Sequence, residues 1–347
     1  MNMLVRPADL VVDRQAIIRT IARDLNPQSD DRRYEWMYLN NPDGPARVWL
    51  AEDRSDGNII GMASAFPRRM EYMGQELLGL VLGDFCIAEQ HRTLGPAIQL
   101  QRAIVSGVDS GMADLFYDFP SRAMIAVYRR LGIPVTGEIV RFAKPLRCDR
   151  FVQERVPFRW LARPLSGFGN MVLSLRDHAR PKSSSFSIVD VPHKDFEGAF
   201  TSLWEEAKSR YGMAVRRSDQ YLNWRYSQIP FGQYEMVMAY RQKDILGYAV
   251  LTRDATTGSL IDCIEGAEPD VASGLVRFMA ERLRKQGAET LSMSVLQGNW
   301  WAAELKDLGF SPRESSPFVT YLSSRTRERI GNGGAIQSIV MPGDRDC

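Results

Sequence analysis

Apolar positions in the first third of the chain follow two periods, one typical of helices and one typical of strands. Ile18, Ile21 and Leu25 recur at spacings of three and four, which predicts one face of an amphipathic helix. Short apolar runs bounded by turn residues predict strands, and the clearest are ARVWLAE, NIIGMASAF, GLVLGDFCIAE and ADLFYDF. The third run is mostly apolar, which indicates a strand buried on both faces.

This buried strand leads into the loop QHRTLGPA and then into a second predicted helix. One stripe of that helix carries Ala97, Leu100, Ile104 and Val108. Another helix, SRAMIAVYRRLG, follows the last strand and ends at Gly132, a residue type that commonly caps helix C-termini. The order of these elements predicts an α/β fold, with a mixed sheet and helices packed over it.

The same pattern occurs twice in the chain. Four residues of WMYLNNPDG recur in WRYSQIPFG at an offset of 224 − 36 = 188, where Trp36, Tyr38, Pro42 and Gly44 match Trp224, Tyr226, Pro230 and Gly232. Cys86 and Ile87 recur as Cys263 and Ile264 at an offset of 263 − 86 = 177. A duplicated unit of roughly 130 to 150 residues explains both matches.

The repeat divides the chain into four parts. We expect an N-terminal domain at 1–147, a connector rich in Pro, Gly and Ser at 148–185, a second domain at 186–325 and a peripheral tail at 326–347. The first unit is longer by 188 − 177 = 11 residues, most of them in PRRMEYMGQELLG. We expect this segment to form a hairpin that overhangs the cleft of the first domain.

Charge and cysteine content exclude several classes of protein. The 44 basic and 42 acidic residues give a net charge of +2, which provides no global field for nucleic acid or an anionic membrane. Four scattered cysteines and three histidines support neither a disulfide framework nor a metal site. The N-terminus has no apolar stretch typical of a signal peptide, and no run approaches 18 apolar residues. We therefore expect a cytoplasmic protein.

The loop after the buried strand has the chemistry of an anion site. Gly95 and Ala97 allow backbone to approach a ligand, and the N–H groups of a helix's first turn can hold a pyrophosphate. Together with AVYRRLGI about 30 residues later, the series of strand, Arg-x-x-Gly-x-Ala, helix, strand and helix resembles the GNAT (Gcn5-related N-acetyltransferase) superfamily. Two positions depart from its usual pattern: Pro96 lacks an N–H, and Ser121 stands where the family often has Asn.

The resemblance implies two tandem domains, each with a mixed, largely antiparallel sheet flanked by helices. It implies that acetyl-CoA or another acyl-CoA binds the first domain, with pantetheine near Cys86 and Ile87. The residues around the pyrophosphate would be Arg92, Thr93, Leu94, Gly95 and Ala97. The second domain is degenerate, because Pro269, Ala272 and Gly274 stand at the positions of Arg92, Gly95 and Ala97.

Two side chains are candidates for proton transfer. Tyr128 matches the family's general acid, and a phenol with a pKa of about 10 can protonate a leaving thiolate. Asp84 is a candidate base for the attacking amine, and the alternative is a structural carboxylate bonded to nearby backbone. Cys86 has a twin in Cys263, which favours a core residue over a nucleophile.

The sequence favours an N-acyltransferase that acts on an amine of a small molecule or sugar. One alternative in the same fold is Fem-like transfer from an aminoacyl-tRNA, which the near-neutral charge disfavours. Another is a non-catalytic acyl-CoA-binding or scaffold protein. Arg92, Gly95 and Tyr128 speak against that alternative.

Overall fold

The computed structural model describes residues 3–156, 158–178, 186–191, 196–330 and 340–345. Its strands are β1 (Met3–Pro7), β2 (Arg47–Asp53), β3 (Ile59–Tyr72), β4 (Gln75–Ile87), β5 (Leu115–Asp118), β6 (Gly137–Pro145), β7 (Ser187–Val191), β8 (Ala214–Val215), β9 (Glu235–Arg241), β10 (Asp244–Arg253), β11 (Thr257–Glu265), β12 (Thr290–Leu296) and β13 (Ser311–Leu322). Its α-helices are α1 (Arg14–Asp24), α2 (Asp31–Tyr34), α3 (Leu94–Asp109), α4 (Arg122–Arg130), α5 (Asp149–Arg155), α6 (Arg159–His178), α7 (Gly198–Ala207), α8 (Asp219–Leu222), α9 (Val271–Lys285), α10 (Trp300–Asp307) and α11 (Ser324–Ile330).

The predicted mixed α/β fold is confirmed, and the two halves share one sheet. The strands follow the order β1, β2, β3, β4, β5, β13, β6, β12, β11, β10, β9, β7, and β8 pairs with β3. Pairs between chain neighbours are mostly antiparallel, while β4 with β5 and β11 with β12 are parallel. The parallel pair occurs once in each half, as a duplicated unit requires.

The halves exchange their last strands. β6 from the first half pairs with β12 along Ile139 to Pro145 and with the start of β13 on its other side. The end of β13, from Val319 to Leu322, pairs with β5 of the first half. The boundary at residue 147 therefore separates two repeats in sequence, but hydrogen bonds of the sheet cross it.

The repeated aromatic motif forms the centre of the contact between halves. Trp36 and Trp224 stack with ring centroids 4.9 Å apart, and each indole Nε1 donates to the other's backbone carbonyl at 2.8 Å. Gly44 and Gly232 adopt positive φ angles of 126° and 89°, which explains why both copies of the motif have glycine at this position. A packing role for the tryptophans, favoured by their presence in both copies, agrees with this reciprocal pair.

Helix predictions in the first half are confirmed. The stripe of α3 is buried at Ala97, Leu100, Ile104 and Val108. Ser121 is the N-cap of α4, where its hydroxyl accepts a hydrogen bond from the Met124 backbone at 3.2 Å. Gly132 follows α4 with φ of 72°, so glycine is suited to the position that ends this helix.

The structure changes the interpretation of two further segments, the connector and the hairpin of β3 and β4. The connector contains α5 and α6. Lys144 on β6 donates a hydrogen bond to Asp177 on α6 at 2.6 Å, which holds this helix against the sheet. Residues 179–185 of the connector lie outside the described part. The long hairpin of β3 and β4 does not overhang a cleft, since its Met70 and Glu71 pair with β8 of the second half.

The expectation of a peripheral tail is wrong for residues 340–344. Val340, Met341, Gly343 and Asp344 are buried. Asp344 forms an ion pair with Arg217 at 2.8 Å, and its backbone carbonyl accepts from Tyr117 of the first half at 3.0 Å. Residues 340–344 thus form a core element between the halves.

Candidate active site between β4 and β5

A gap in the sheet forms the candidate site. β4 and β5 pair only along Gly79 to Val81 and Leu115 to Tyr117, and then they separate. The gap holds a cavity of about 300 Å³. Its lining consists of Ser64, Leu82, Gly83, Asp84, Phe85, Gln101, Ile104, Asp118, Phe119, Pro120, Ser121, Met124 and Arg345. Residues of α3, α4 and both strands therefore face one space.

A bulge in β4 turns Asp84 into this region. The register of β3 and β4 shifts so that Asp84 and Phe85 stand opposite the single residue Ala63, and Asp84 has φ of 43°. Arg33 binds both carboxylate oxygens at 2.8 and 2.9 Å, and the Tyr38 hydroxyl donates to one of them at 2.6 Å. Asp84 is thus a paired carboxylate. Its role as a base stays a prediction.

Asp118, at the end of β5, is the second carboxylate in the cavity. It accepts a hydrogen bond from the hydroxyl of Tyr128 at 2.6 Å. Burial raises the pKa of Asp118 to about 6, although the hydrogen bond from Tyr128 and the charge of Arg345 act in the opposite direction. Burial and the neighbouring carboxylate raise the pKa of Tyr128 well above its usual value. Tyr128 is 1% exposed and is not among the described residues that line the cavity.

The predicted pyrophosphate loop lies at the start of α3. Arg92, Thr93, Leu94 and Gly95 are exposed, and Thr93 is the N-cap. The N–H groups of a helix's first turn have no partner within the helix, so Leu94 and Gly95 can offer theirs to an anion. Ala97 is buried in the first turn beneath them. Arg92 donates its Nε to the carbonyl of Ile87 at 3.1 Å, which ties the loop to β4.

Cys86 and Ile87, the predicted neighbours of pantetheine, are buried at the end of β4. Burial raises the pKa of the Cys86 thiol to about 12. A thiol that stays protonated is a poor nucleophile, which agrees with a core role.

In the second half, a side chain binds the N-terminus of α9, the helix that corresponds to α3. Glu265 accepts a hydrogen bond from the Ala272 backbone N–H at 2.8 Å in the first turn of α9. Arg210 pairs with the other oxygen of Glu265 at 2.9 Å. At the offset of 177, Glu265 corresponds to Ala88 in the first half. A carboxylate of the chain therefore occupies an anion position in the second half that the first half leaves open.

Four polar residues of this site have no prediction from the sequence. Arg33 holds Asp84, Asp118 holds Tyr128, and Arg345 reaches the cavity from the chain's end. The amide nitrogen of Gln101 is buried in the lining without a hydrogen-bond partner among the described residues. Only Asp118 had a sequence signal. It shares a strand face with Phe116, at a spacing of two, in the same run that precedes α4.

Neither a metal centre nor a membrane span is found in the part of the chain that the structure describes. No group of three or more His, Cys, Asp or Glu side chains there could hold a metal ion. The described helices also include none with the length and apolar character needed to cross a bilayer.

Comparisons with known proteins identify the fold. No protein-family model matches the chain, and no curated protein matches it. A conserved protein from Enterococcus faecalis V583, described as a probable N-acyltransferase, is similar in structure with a TM-score of 0.69 at 11% identity, over 94% of this chain and 74% of that one. A GCN5-related N-acetyltransferase from Anabaena variabilis ATCC 29413 gives 0.66 at 13% identity, over 92% and 72%.

A third similar structure is a GCN5-related N-acetyltransferase from Kribbella flavida, with a TM-score of 0.59 at 13% identity, over 92% of this chain and 71% of that one. At such low identity the likeness concerns the fold alone. The chain has the fold of the GCN5-related N-acetyltransferases.

Proposed function

We propose that the chain transfers an acyl group from a coenzyme A thioester to an amine on a small molecule or sugar. The observation that carries the proposal is that α3 begins with an exposed N-terminus and, farther along, contributes Gln101 and Ile104 to the lining of the cavity between β4 and β5. The N-terminus of α3 offers N–H donors for a pyrophosphate. The cavity between β4 and β5 is lined by two carboxylates, Asp84 and Asp118.

The residues present fit an acyl-CoA. Leu94 and Gly95 would hold the pyrophosphate with Arg92 and Thr93 beside them, and the buried amide of Gln101 would find a partner in the ligand. CoA supplies an activated acyl group as a thioester. Polar groups of the cavity would receive the amine and protonate the leaving thiolate.

The same geometry supports a single cofactor site per chain. In the second half, Glu265 already accepts the first-turn N–H of Ala272 and has Arg210 as its partner. A phosphate there would have to displace a carboxylate that is 4% exposed and hydrogen-bonded. We therefore assign acyl-CoA binding to the first half and a structural role to the second.

Gly95→Asp is expected to weaken binding of CoA by about 10- to 100-fold, because a carboxylate would compete with phosphate for the same N–H groups. An acidic residue in the first turn favours the helix, so folding should be preserved. Gly95→Ala is the matched control, since among the described residues its Cβ would come within 4 Å of the Thr93 hydroxyl alone, at 3.9 Å. Calorimetric titration of the wild type and both variants measures the affinities. Equal affinity in Gly95→Asp and Gly95→Ala would contradict the assigned site.

A further inference from the structure

The proton chemistry of the proposed reaction can be assigned to one residue. On the basis of the proposed function, we propose that Asp118 is the catalytic residue that exchanges protons with the amine and the thiolate. Tyr128 is then a positioning residue that acts through Asp118. This assignment differs from the role that the resemblance gives to Tyr128.

Position in the cavity is the first argument. Asp118 lines the space between β4 and β5, whereas Tyr128 is 1% exposed beneath it and absent from the described lining. The only polar atom of the Tyr128 side chain, its hydroxyl, donates to Asp118 Oδ2 at 2.6 Å. A reactant in the cavity therefore meets the carboxylate before it meets the phenol.

The availability of the two carboxylates is the second argument. Asp84 lines the same cavity, but three hydrogen bonds from Arg33 and Tyr38 already occupy its two oxygens. Asp118 accepts one side-chain hydrogen bond, from Tyr128 to Oδ2, and a further one from the Phe119 backbone, but it has no arginine bound to both oxygens as Asp84 has. Asp118 is therefore the less neutralised of the two carboxylates.

The repeat provides a third, independent argument. At the offset of 177, Asp118 corresponds to Val295 and Tyr128 to Leu305, both buried in the second half. The half whose anion position is filled by Glu265 thus lacks both members of the pair. A pair required only to hold β5 against α4 would have the same use in both halves.

Electrostatics around Asp118 suit proton exchange near neutral pH. Among the described residues, the groups that act on it are the Tyr128 hydroxyl on α4, the Phe119 backbone N–H and the Arg345 guanidinium, and the Asp84 carboxylate lines the same cavity. Burial raises the pKa of Asp118 to about 6. The group is therefore ionised at pH 7 and accepts a proton at a smaller cost than an ordinary aspartate.

The step balances without another reactant. The amine nitrogen attacks the thioester carbonyl carbon, the nitrogen to carbon bond forms, and the carbon to sulfur bond breaks. The proton that leaves the nitrogen passes to Asp118, and Asp118 returns it to the thiolate. The products are an amide and the free thiol of CoA, and the Tyr128 hydroxyl keeps its proton throughout.

The test compares Asp118→Asn, Tyr128→Phe and the wild type. Thiol release from acetyl-CoA is followed from pH 5 to 9 with propylamine and glucosamine as acceptors, and with water as the acceptor when no amine is added. Calorimetry with CoA reports cofactor binding separately. Titration of the aspartate carboxyl carbons by NMR reports the protonation of Asp118 without any turnover.

We expect Asp118→Asn to lower kcat at least about 100-fold and to remove the rise of rate through pH 6, with CoA affinity unchanged. Tyr128→Phe should keep kcat within about 10-fold of the wild type. The hydrogen bond from Tyr128 lowers the pKa of Asp118, so its loss should move the rise of rate to higher pH. The NMR titration should show the same direction of change.

Several results would overturn the assignment. One is an Asp118→Asn variant with wild-type turnover, and another is an Asp118 that titrates near pH 4. A Tyr128→Phe variant as inactive as Asp118→Asn, with no displaced pH profile, would return the acid role to Tyr128. These variant results would overturn the assignment alone, whereas a wild type that binds CoA but transfers no acyl group to either amine or to water would overturn the proposed function too. A wild type that does not bind CoA would overturn the proposed function as well.

Discussion

Arg217→Met is expected to lower the free energy of unfolding by about 3 to 5 kcal/mol, the range for removing one partner of a buried ion pair. Arg217 is 1% exposed and pairs with two carboxylates, Asp262 at 3.1 Å and Asp344 at 2.8 Å. Methionine approximately preserves the volume but leaves both carboxylates without their cation. Urea denaturation monitored by tryptophan fluorescence measures the loss.

A neighbouring residue supplies the control for this prediction. Arg216 pairs with Glu76 and Glu205 at the surface, so Arg216→Met should cost less than about 1 kcal/mol. Burial raises the pKa of Asp344, and loss of Arg217 would raise it further. A carboxyl pKa above its unfolded value makes the folded state relatively more stable as pH falls. The deficit of Arg217→Met should therefore shrink toward pH 4, and a pH-independent loss below 1 kcal/mol would refute this account of the core.

A fragment of residues 1–148 is expected not to fold cooperatively. β6 would lose both neighbours, β12 and β13, and β5 would lose its pairing with the end of β13. The exposed strand edges and the uncovered indole of Trp36 favour aggregation. Size-exclusion chromatography and thermal unfolding of the fragment measure the outcome.

Co-expression with residues 149–347 is the matched control for the fragment. The complementary piece supplies β12, β13 and Trp224, so the two fragments together should form a soluble complex that binds CoA. A monomeric 1–148 fragment that unfolds cooperatively and binds CoA as tightly as the full chain would show that the strand exchange is unnecessary for the first half.

The sequence predicted the parts of the molecule that depend on local patterns. Spacings of three and four identified the buried stripe of α3, and the strand, loop and helix series located the gap beside β4. The match of Trp36 with Trp224 indicated a shared structural role. Periodicity records which residues face a core, and therefore these features were accessible without coordinates.

Features that depend on partners distant in sequence were not predictable. Nothing near β6 indicates that its neighbours come from β12 and β13. The segment 340–345 is short and partly polar. It is held in the core by the ion pair of Asp344 with Arg217, which lies more than 100 residues earlier in the chain. Arg33 lies 51 residues before Asp84, too far for a local pattern to reveal the pair, so the sequence alone leaves both a base and a structural carboxylate open for Asp84.

The central claim is that one acyl-CoA per chain binds in the gap between β4 and β5. A crystal structure of the protein with acetyl-CoA tests it most directly. The account predicts one molecule per chain, with its pyrophosphate at Leu94 and Gly95 and its thioester beside Asp118, and with Glu265 still bound to Ala272. Acetyl-CoA at the start of α9, or outside the gap, would contradict the account.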